Sequence, residues 1–326
     1  MNVNSSVKTE HNGSRPSFTV AAFYKFIFLE DLATLQKKLN ELCSKQNIYG
    51  TILLAKEGIN GTVSGNEKSI KSLFIWLQSQ SHFGNLQIKY SYSQNLPFHR
   101  LKVRLKKEIV TMGEPNIDPN QTVGQYVKPE NWNDFINDPD TLIIDTRNQY
   151  EVTIGTFKNA INPQTNSFRE FPKWVKNELD SLPDNARPKR IAMFCTGGIR
   201  CEKATSYLAQ KGYGNIFHLE GGILKYLETV PLSESKWKGD CFVFDQRVSV
   251  EHGLVPGRYK MCHACRMPIA DEEIQSKKYE MGVSCPKCYG RHTLQQKRRF
   301  RDRQKQVDLA KQRGSTHIGS FSGKAS

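Results

Sequence analysis

The sequence predicts an α/β protein in three parts: a split βαβ module of ferredoxin-like (acylphosphatase-like) pattern, an α/β domain built on a parallel sheet, and a small cysteine-rich module running into a basic tail. Three observations carry this reading. Segments of strand and helix character follow one another as β-α-β-β-α-β over roughly the first third of the chain. Short apolar runs then alternate with helices, the pattern of parallel strands joined by crossover helices. Towards the C-terminus, four of the eight cysteines fall into two Cys-x-x-Cys pairs, and Lys and Arg crowd behind them.

The first sixteen residues, rich in Asn, Ser, Lys and Thr, read as a disordered tail without the apolar centre of a secretory signal. Residues 17–112 make the first domain. Residues 18–27 are a buried strand, and Asp31 caps a helix whose Leu32, Leu35, Leu39 and Leu42 share one face. Strands at 49–55 and 61–65 flank a turn at 56–60, and residues 67–80 form a helix with Ile70, Leu73, Phe74 and Leu77 inward. One extended segment then runs from Leu86 towards Val110. Within it Leu101, Val103 and Leu105 alternate with Lys102, Arg104 and Lys106, so three cations share a sheet face that is either simply solvated or turned towards RNA. Residues 113–127, with Pro115 and Pro119, read as a linker. The second domain, residues 128–233, has apolar strands at 142–145, 190–194 and 217–222, and a helix from Glu202 to Lys211. In parallel sheets of this kind ligand sites gather at the carboxyl ends of the strands.

The loop after the second of these strands carries the chemistry. It reads Cys195-Thr-Gly-Gly-Ile-Arg-Cys201 and opens directly into a helix. A thiol becomes reactive when its thiolate is stabilised, and helix N-termini, inward-facing backbone amides and nearby cations all do so. Gly197 and Gly198 let amides turn inward, and Arg200 brings a permanent positive charge. Cys195 is therefore the expected catalytic residue, in place of a cysteine that merely packs at a strand end. Cys201 either resolves a persulfide or disulfide formed at Cys195 or packs beneath the loop. Asp145 and Arg147, at the end of the strand before, are expected to pair and brace it.

These residues resemble the rhodanese family over about residues 128–233: Leu142-Ile-Ile-Asp-Thr-Arg147, Tyr150-Glu151, Gly155, Lys158-Asn-Ala-Ile161, the Cys195 loop and Leu219-Glu-Gly-Gly222. The resemblance implies a loop whose amides cradle a persulfide on Cys195. Four residues separate Cys195 from Arg200, where the phosphatase relatives of that fold have five, so a phosphate-sized cradle is not expected. Together with Lys56-Glu-Gly-Ile-Asn-Gly-Thr62, residues 98–109 and the cysteine-rich basic end, the chain resembles the bacterial tRNA uridine hydroxylases from about residue 17 to 319. That resemblance implies oxygen-dependent formation of 5-hydroxyuridine at the tRNA wobble position, with Cys195 as the active-site residue, O2 as co-substrate and tRNA as partner. The residues by themselves suggest sulfur transfer, since no haem, flavin or facial-triad iron pattern is present. Two roles for the thiolate stay open: addition to C6 of uracil, which makes C5 nucleophilic, and reduction of an oxygen species by a persulfide.

Cys262, Cys265, Cys285 and Cys288 have the spacing of a four-thiolate zinc site, with 19 residues between the pairs. Such a site would be structural, stapling a hairpin and Cys-x-x-Cys module across residues 234–292. No catalytic cofactor is read from the sequence. The net charge is +15, and residues 291–326 hold a net +8 of it. The basic tail, residues 293–326, carries Arg298, Arg299, Arg301 and Arg303 in a Gln-rich run too poor in apolar residues for a core, expected as a flexible or solvated segment that meets RNA phosphates. No stretch has the length and apolarity of a membrane span, so a cytoplasmic protein with no membrane partner is expected, and no protein partner is identified. A plain sulfurtransferase passing a persulfide from Cys195 is the alternative reading, and a catalytically silent RNA-binding protein is a third.

Overall fold

The computed structural model describes residues 18–314; the expected N-terminal tail and the last part of the basic tail lie outside the described residues. Strand β1 (Phe18–Phe26) leads into α1 (Leu32–Lys45), whose N-terminus is capped by the Asp31 carboxylate accepting from the Thr34 N–H. Strands β2 (Tyr49–Ala55) and β3 (Gly58–Gly65) form a hairpin, followed by α2 (Glu67–Ser79) and β4 (Ile88–Ser93). The strand β5 (Leu101–Leu105) completes a sheet of order β4-β1-β3-β2-β5. Two details differ from expectation. The β3 strand begins at Gly58, so Lys56 and Glu57 alone make the turn. The extended segment after α2 is two strands: it breaks at Pro97, and β5 returns to pair in parallel with β2 as an edge strand on the opposite side of the sheet from β4. The two helices bury Leu39, Leu73, Phe74 and Leu77 against Phe23, Ile52 and Val63 of the sheet.

The segment expected as a linker is structured. Met112 and Ile117 sit in the core of the second domain, and β6 (Gln125–Val127) is the edge strand of its sheet. Only a few apolar residues are needed for this, and their partners are distant in sequence, so the Pro and Gly content dominates the local pattern. Then come α3 (Pro129–Asn137), β7 (Thr141–Asp145), α4 (Gln149–Val152), β8 (Gly155–Phe157) and α5 (Phe171–Trp174). The strand β9 (Arg190–Phe194), α6 (Ile199–Gln210), β10 (Ile216–Leu219) and α7 (Gly222–Thr229) follow. The sheet is parallel, with order β6-β10-β9-β7, and helices cover both faces. The strand β9, which delivers Cys195, is central and is buried from Ile191 to Phe194.

Beyond it, β11 (Trp237–Gly239) pairs with β8, and β12 (Cys241–Phe242) with β13 (Ser249–Val250). A small module holds β14 (Lys260–Met261), β15 (Pro268–Ile269) and α8 (Asp271–Ile274), and the described chain ends in α9 (Leu294–Gln312). The segment expected as a flexible or solvated run is thus a helix, entered through a capping box in which the Thr293 hydroxyl accepts from the Gln296 N–H and the Gln296 amide oxygen accepts from the Thr293 N–H. Arg301 pairs with Glu280, and Arg303 donates to the carbonyls of His263 and Gly282, so polar contacts dock it instead of an apolar stripe.

Candidate active site

The loop from Cys195 turns straight from β9 into α6, so a central strand aims the thiol at a helix N-terminus. Gly198, at φ +101°, is the residue before the helix, and its N–H donates to Cys195 Sγ at 3.1 Å. Cys195 is fully buried. Burial opposes its charge, but the hydrogen bond from the Cys201 thiol, the Arg200 guanidinium and the N–H groups of Cys201 and Gly198 hold the thiol pKa well below the ordinary range. Cys201, equally buried in the first turn of α6, is pushed the other way by burial and by its hydrogen bond and charge interaction with Cys195; it packs 3.5 Å from Thr146 Oγ1. The pair thus divides into a thiolate and a neutral thiol donor. Cys43 and Cys241, also buried but without cationic or amide partners strong enough to offset desolvation, are both pushed up to about 12.

Arg200 does not point its fork at the sulfur. Its two terminal nitrogens donate to the Glu151 carboxylate at 2.6 and 2.7 Å, and one of them also donates to Thr196 Oγ1 at 3.2 Å. Glu151, fully buried, accepts in addition from the Asn148 N–H and from Thr196 Oγ1. Burial disfavours its charge, yet Arg200 and Arg147 keep its carboxyl below the usual range. Asp145 and Arg147 do pair, at 2.9 and 2.7 Å, both at zero exposure. Their link to the loop is indirect: Arg147 donates to the Glu151 carbonyl and to the Gly155 carbonyl, fixing the segment that presents Glu151. From the other side α7 anchors the loop backbone, with Ile223 N–H on the Cys195 carbonyl (2.9 Å) and Leu224 N–H on that of Thr196 (3.0 Å). Gly222, at φ +67°, permits that approach, since a Cβ there would lie 2.5 Å from the Cys195 oxygen.

Residues of the N-terminal domain, which no local pattern marks, close over this loop. Lys89 of β4 donates to the Gly197 carbonyl at 2.9 Å, and the Tyr24 hydroxyl of β1 donates to Glu202 at 2.7 Å while standing against Gly198. Phe26, Ala55 and Ile109 pack with Ile199 at the same junction. Lys203, 1 % exposed, reaches out of α6 to Glu57 (2.8 Å), Glu108 (2.6 Å) and the Val110 carbonyl (3.1 Å). A cleft of about 520 Å³ lies between the domains, with Tyr24, Tyr126 and Glu202 in its walls.

The cysteine pairs converge: the four Sγ atoms of Cys262, Cys265, Cys285 and Cys288 lie within 4.8 Å of one another. Closest separations are 3.7–3.9 Å. A tetrahedron of Zn–S bonds near 2.3 Å has edges of about 3.8 Å, so the set fits a structural zinc ion. The Cys285 N–H also donates to Cys288 Sγ, as knuckle amides do for a thiolate. Of the expected RNA-facing cations, Arg298, Arg299, Arg104 and Lys106 are exposed and Lys102 half-buried. Burial, and then the charges of Arg100, Arg104 and Arg266, lower the Lys102 pKa, so the field of Arg266 from the cysteine module reaches β5. Arg301 is exposed as well while it pairs with Glu280, and Arg303, half-buried, holds α9 to the carbonyls of His263 and Gly282.

Comparison with known proteins covers nearly the whole chain. The model of a UPF0176 acylphosphatase like domain matches residues 18–109, and that of a Rhodanese-like domain matches residues 128–229. A tRNA uridine(34) hydroxylase of Acaryochloris marina is 54% identical over 303 residues, covering 93% of this chain and 96% of the relative. Another protein of that name, from Agrobacterium fabrum, is 54% identical over 302 residues, with 93% and 95% covered.

Proposed function

The chain belongs to the tRNA uridine(34) hydroxylase family, and from that premise we propose that it converts the wobble uridine of tRNA to 5-hydroxyuridine in the cytoplasm, with O2 as co-substrate and Cys195 as the catalytic residue. The observation that carries the reading is a thiolate held in a closed loop by Gly198, Cys201 and Arg200, beneath a second domain that completes the site. A thiolate available at neutral pH is the form that adds to an electron-poor ring carbon such as C6 of uracil, and it is the form that carries sulfur. The near-complete match to hydroxylases favours hydroxylation over a plain sulfurtransferase, which would need neither a covering domain nor a basic C-terminal helix, and both roles of the thiolate remain compatible with it.

Each other part has a task in this reading. Glu151 and the Asp145–Arg147 pair are positioning residues that fix Arg200. Lys102, Arg104, Lys106, Arg298 and Arg299 meet RNA phosphates, while Arg301 and Arg303 hold α9 for them. Cys262, Cys265, Cys285 and Cys288 would hold zinc, which supplies folding energy to the module and no catalysis. No helix of the described residues is long and apolar enough to cross a membrane.

The test is nucleoside mass spectrometry of tRNA from a deletion strain complemented with wild type or Cys195→Ser. Wild type restores 5-hydroxyuridine and the variant does not; restoration by Cys195→Ser would overturn the assignment. Growth under 18O2 places the label in the nucleoside, and label from water instead would overturn the role of O2.

A further inference from the structure

The cleft between the two domains has the build of a site for a planar ring. Its volume, about 520 Å³, falls within the roughly 300–1,000 Å³ of small-molecule sites. Tyr126, on the edge strand β6, is half exposed, and its ring rests against the buried His218 at 4.3 Å, which fixes it from behind. Glu202 is brought in by the first turn of α6, directly after Cys201. One of its oxygens accepts from the Tyr24 hydroxyl at 2.7 Å and the Tyr126 hydroxyl is a second partner; burial raises the Glu202 pKa, and the two tyrosines and Lys89 work against that rise. The wall adjoins the thiol loop, because the Tyr24 side chain stands against Gly198, whose N–H holds Cys195 Sγ.

Resting on the hydroxylase reading, we infer that this cleft receives the uracil ring after it leaves its stack, with Tyr126 as the stacking surface and the Glu202 carboxylate as acceptor for the ring N3–H. Enzymes that act on a base take it out of the stack, and unstacked bases are held on aromatic side chains and read along the Watson–Crick edge. Uracil offers a donor at N3, whereas cytosine presents a lone pair there, which a carboxylate repels. N3 lies across the ring from the C5–C6 bond, so Glu202 grips the edge that does not react. Tyr24 and Tyr126, which both donate to the carboxyl, fix its plane and leave its remaining lone pairs to the ring.

The test uses the full chain and two labelled anticodon stem-loop RNAs that differ only in uridine or cytidine at the wobble position, with binding read by fluorescence anisotropy. Wild type binds the uridine RNA about tenfold or more tightly. Glu202→Ala brings the ratio to about one without weakening the cytidine RNA, and Glu202→Gln, whose amide accepts from uridine N3–H or donates to the cytidine N3, also loses most of the preference. Tyr126→Leu, at an exposed position where folding is not at risk, weakens both RNAs by about fivefold or more. A full uridine preference in Glu202→Ala, or unchanged binding in Tyr126→Leu, overturns the inference. The same strains are assayed for 5-hydroxyuridine in tRNA: if wild type makes it while the variants bind as wild type does, the cleft assignment alone falls; if wild type makes none, the hydroxylase reading falls and takes the inference with it.

Discussion

Replacing Lys203 with Met tests whether the N-terminal domain is locked onto the thiol loop by a buried charge cluster. The lysine comes from α6, two residues after Cys201, and its ammonium is shared between Glu57 and Glu108 with the Val110 carbonyl as third partner. Both carboxylates are largely shielded, at 21% and 16% side-chain exposure. Removing one partner of a buried ion pair leaves uncompensated charge and typically costs about 3–5 kcal/mol. The loss here should reach that range at pH 7, because Met fills the space and leaves two carboxylates facing each other. The sign of its pH dependence follows from Glu108. Burial raises its pKa, but Lys203 and the N–H groups of Met112 and Gly113 bring it below the ordinary value. A depressed carboxyl contributes stability above its unfolded pKa of about 4.3, lost as pH falls through the folded pKa. Without Lys203 that contribution goes, so the gap between variant and wild type should be largest at pH 7 and shrink as pH falls below about 4.3. Urea denaturation at a series of pH values reads it, and the same variant should lose 5-hydroxyuridine formation with Cys195 intact. A gap under about 1 kcal/mol at pH 7, or one that widens as pH falls, would refute the reasoning.

Gly222→Ala should destabilise by about 2–5 kcal/mol, from the left-handed backbone and the clash with the Cys195 and Thr196 carbonyls, whereas Gly197→Ala, with open space at its Cβ, should stay within about 0.5 kcal/mol in thermal denaturation. Below neutral pH, alkylation followed by peptide mass spectrometry should modify Cys195 ahead of Cys43 and Cys241; equal rates would remove the case for a stabilised thiolate. Purified protein should contain equimolar zinc by elemental analysis, and its removal by chelator should free α9 to trypsin, because α9 is docked on carbonyls of that module. Arg298→Gln with Arg299→Gln should lower the slope of log affinity for tRNA against log salt by about two; an unchanged slope would take these residues off the RNA surface.

The Cys195 loop was legible because its signal is local: an apolar strand, Cys, two glycines and Arg occupy consecutive positions, and the helix follows from them. Its supports were not. Glu151 lies 49 positions from Arg200, Lys89 lies 108 from Gly197, and Tyr24 lies 178 from Glu202. Only folding brings them together; in the sequence nothing beside Glu151 signals that its charge meets Arg200. The ferredoxin-like order was readable from alternation and periodicity, but β5 was merged with β4 because parallel pairing with β2 leaves no mark in the intervening residues. For α9 a local mark did exist, Thr293 three residues before Gln296, and it was outweighed by the absence of an apolar face that the helix does not use.

A thiolate cradled by amides and open to water would exchange with any thiol or electrophile that reached it. Here burial raises the energetic cost of the charge, and the Cys201 thiol, Arg200 and two backbone amides offset it. Because Glu151 neutralises the Arg200 fork through two short hydrogen bonds, the loop does not become a strong anion trap, which also fits a cradle one residue shorter than a phosphate requires. Selectivity must then come from what is allowed to approach. The approach is lined by the N-terminal domain, whose Lys89 and Tyr24 touch the loop directly. Its edge strand β5 carries Lys102, whose pKa the charge of Arg266 in the cysteine module helps to lower. The reactivity is thus written in seven residues of one loop, and the choice of substrate in the way three modules are fastened around it.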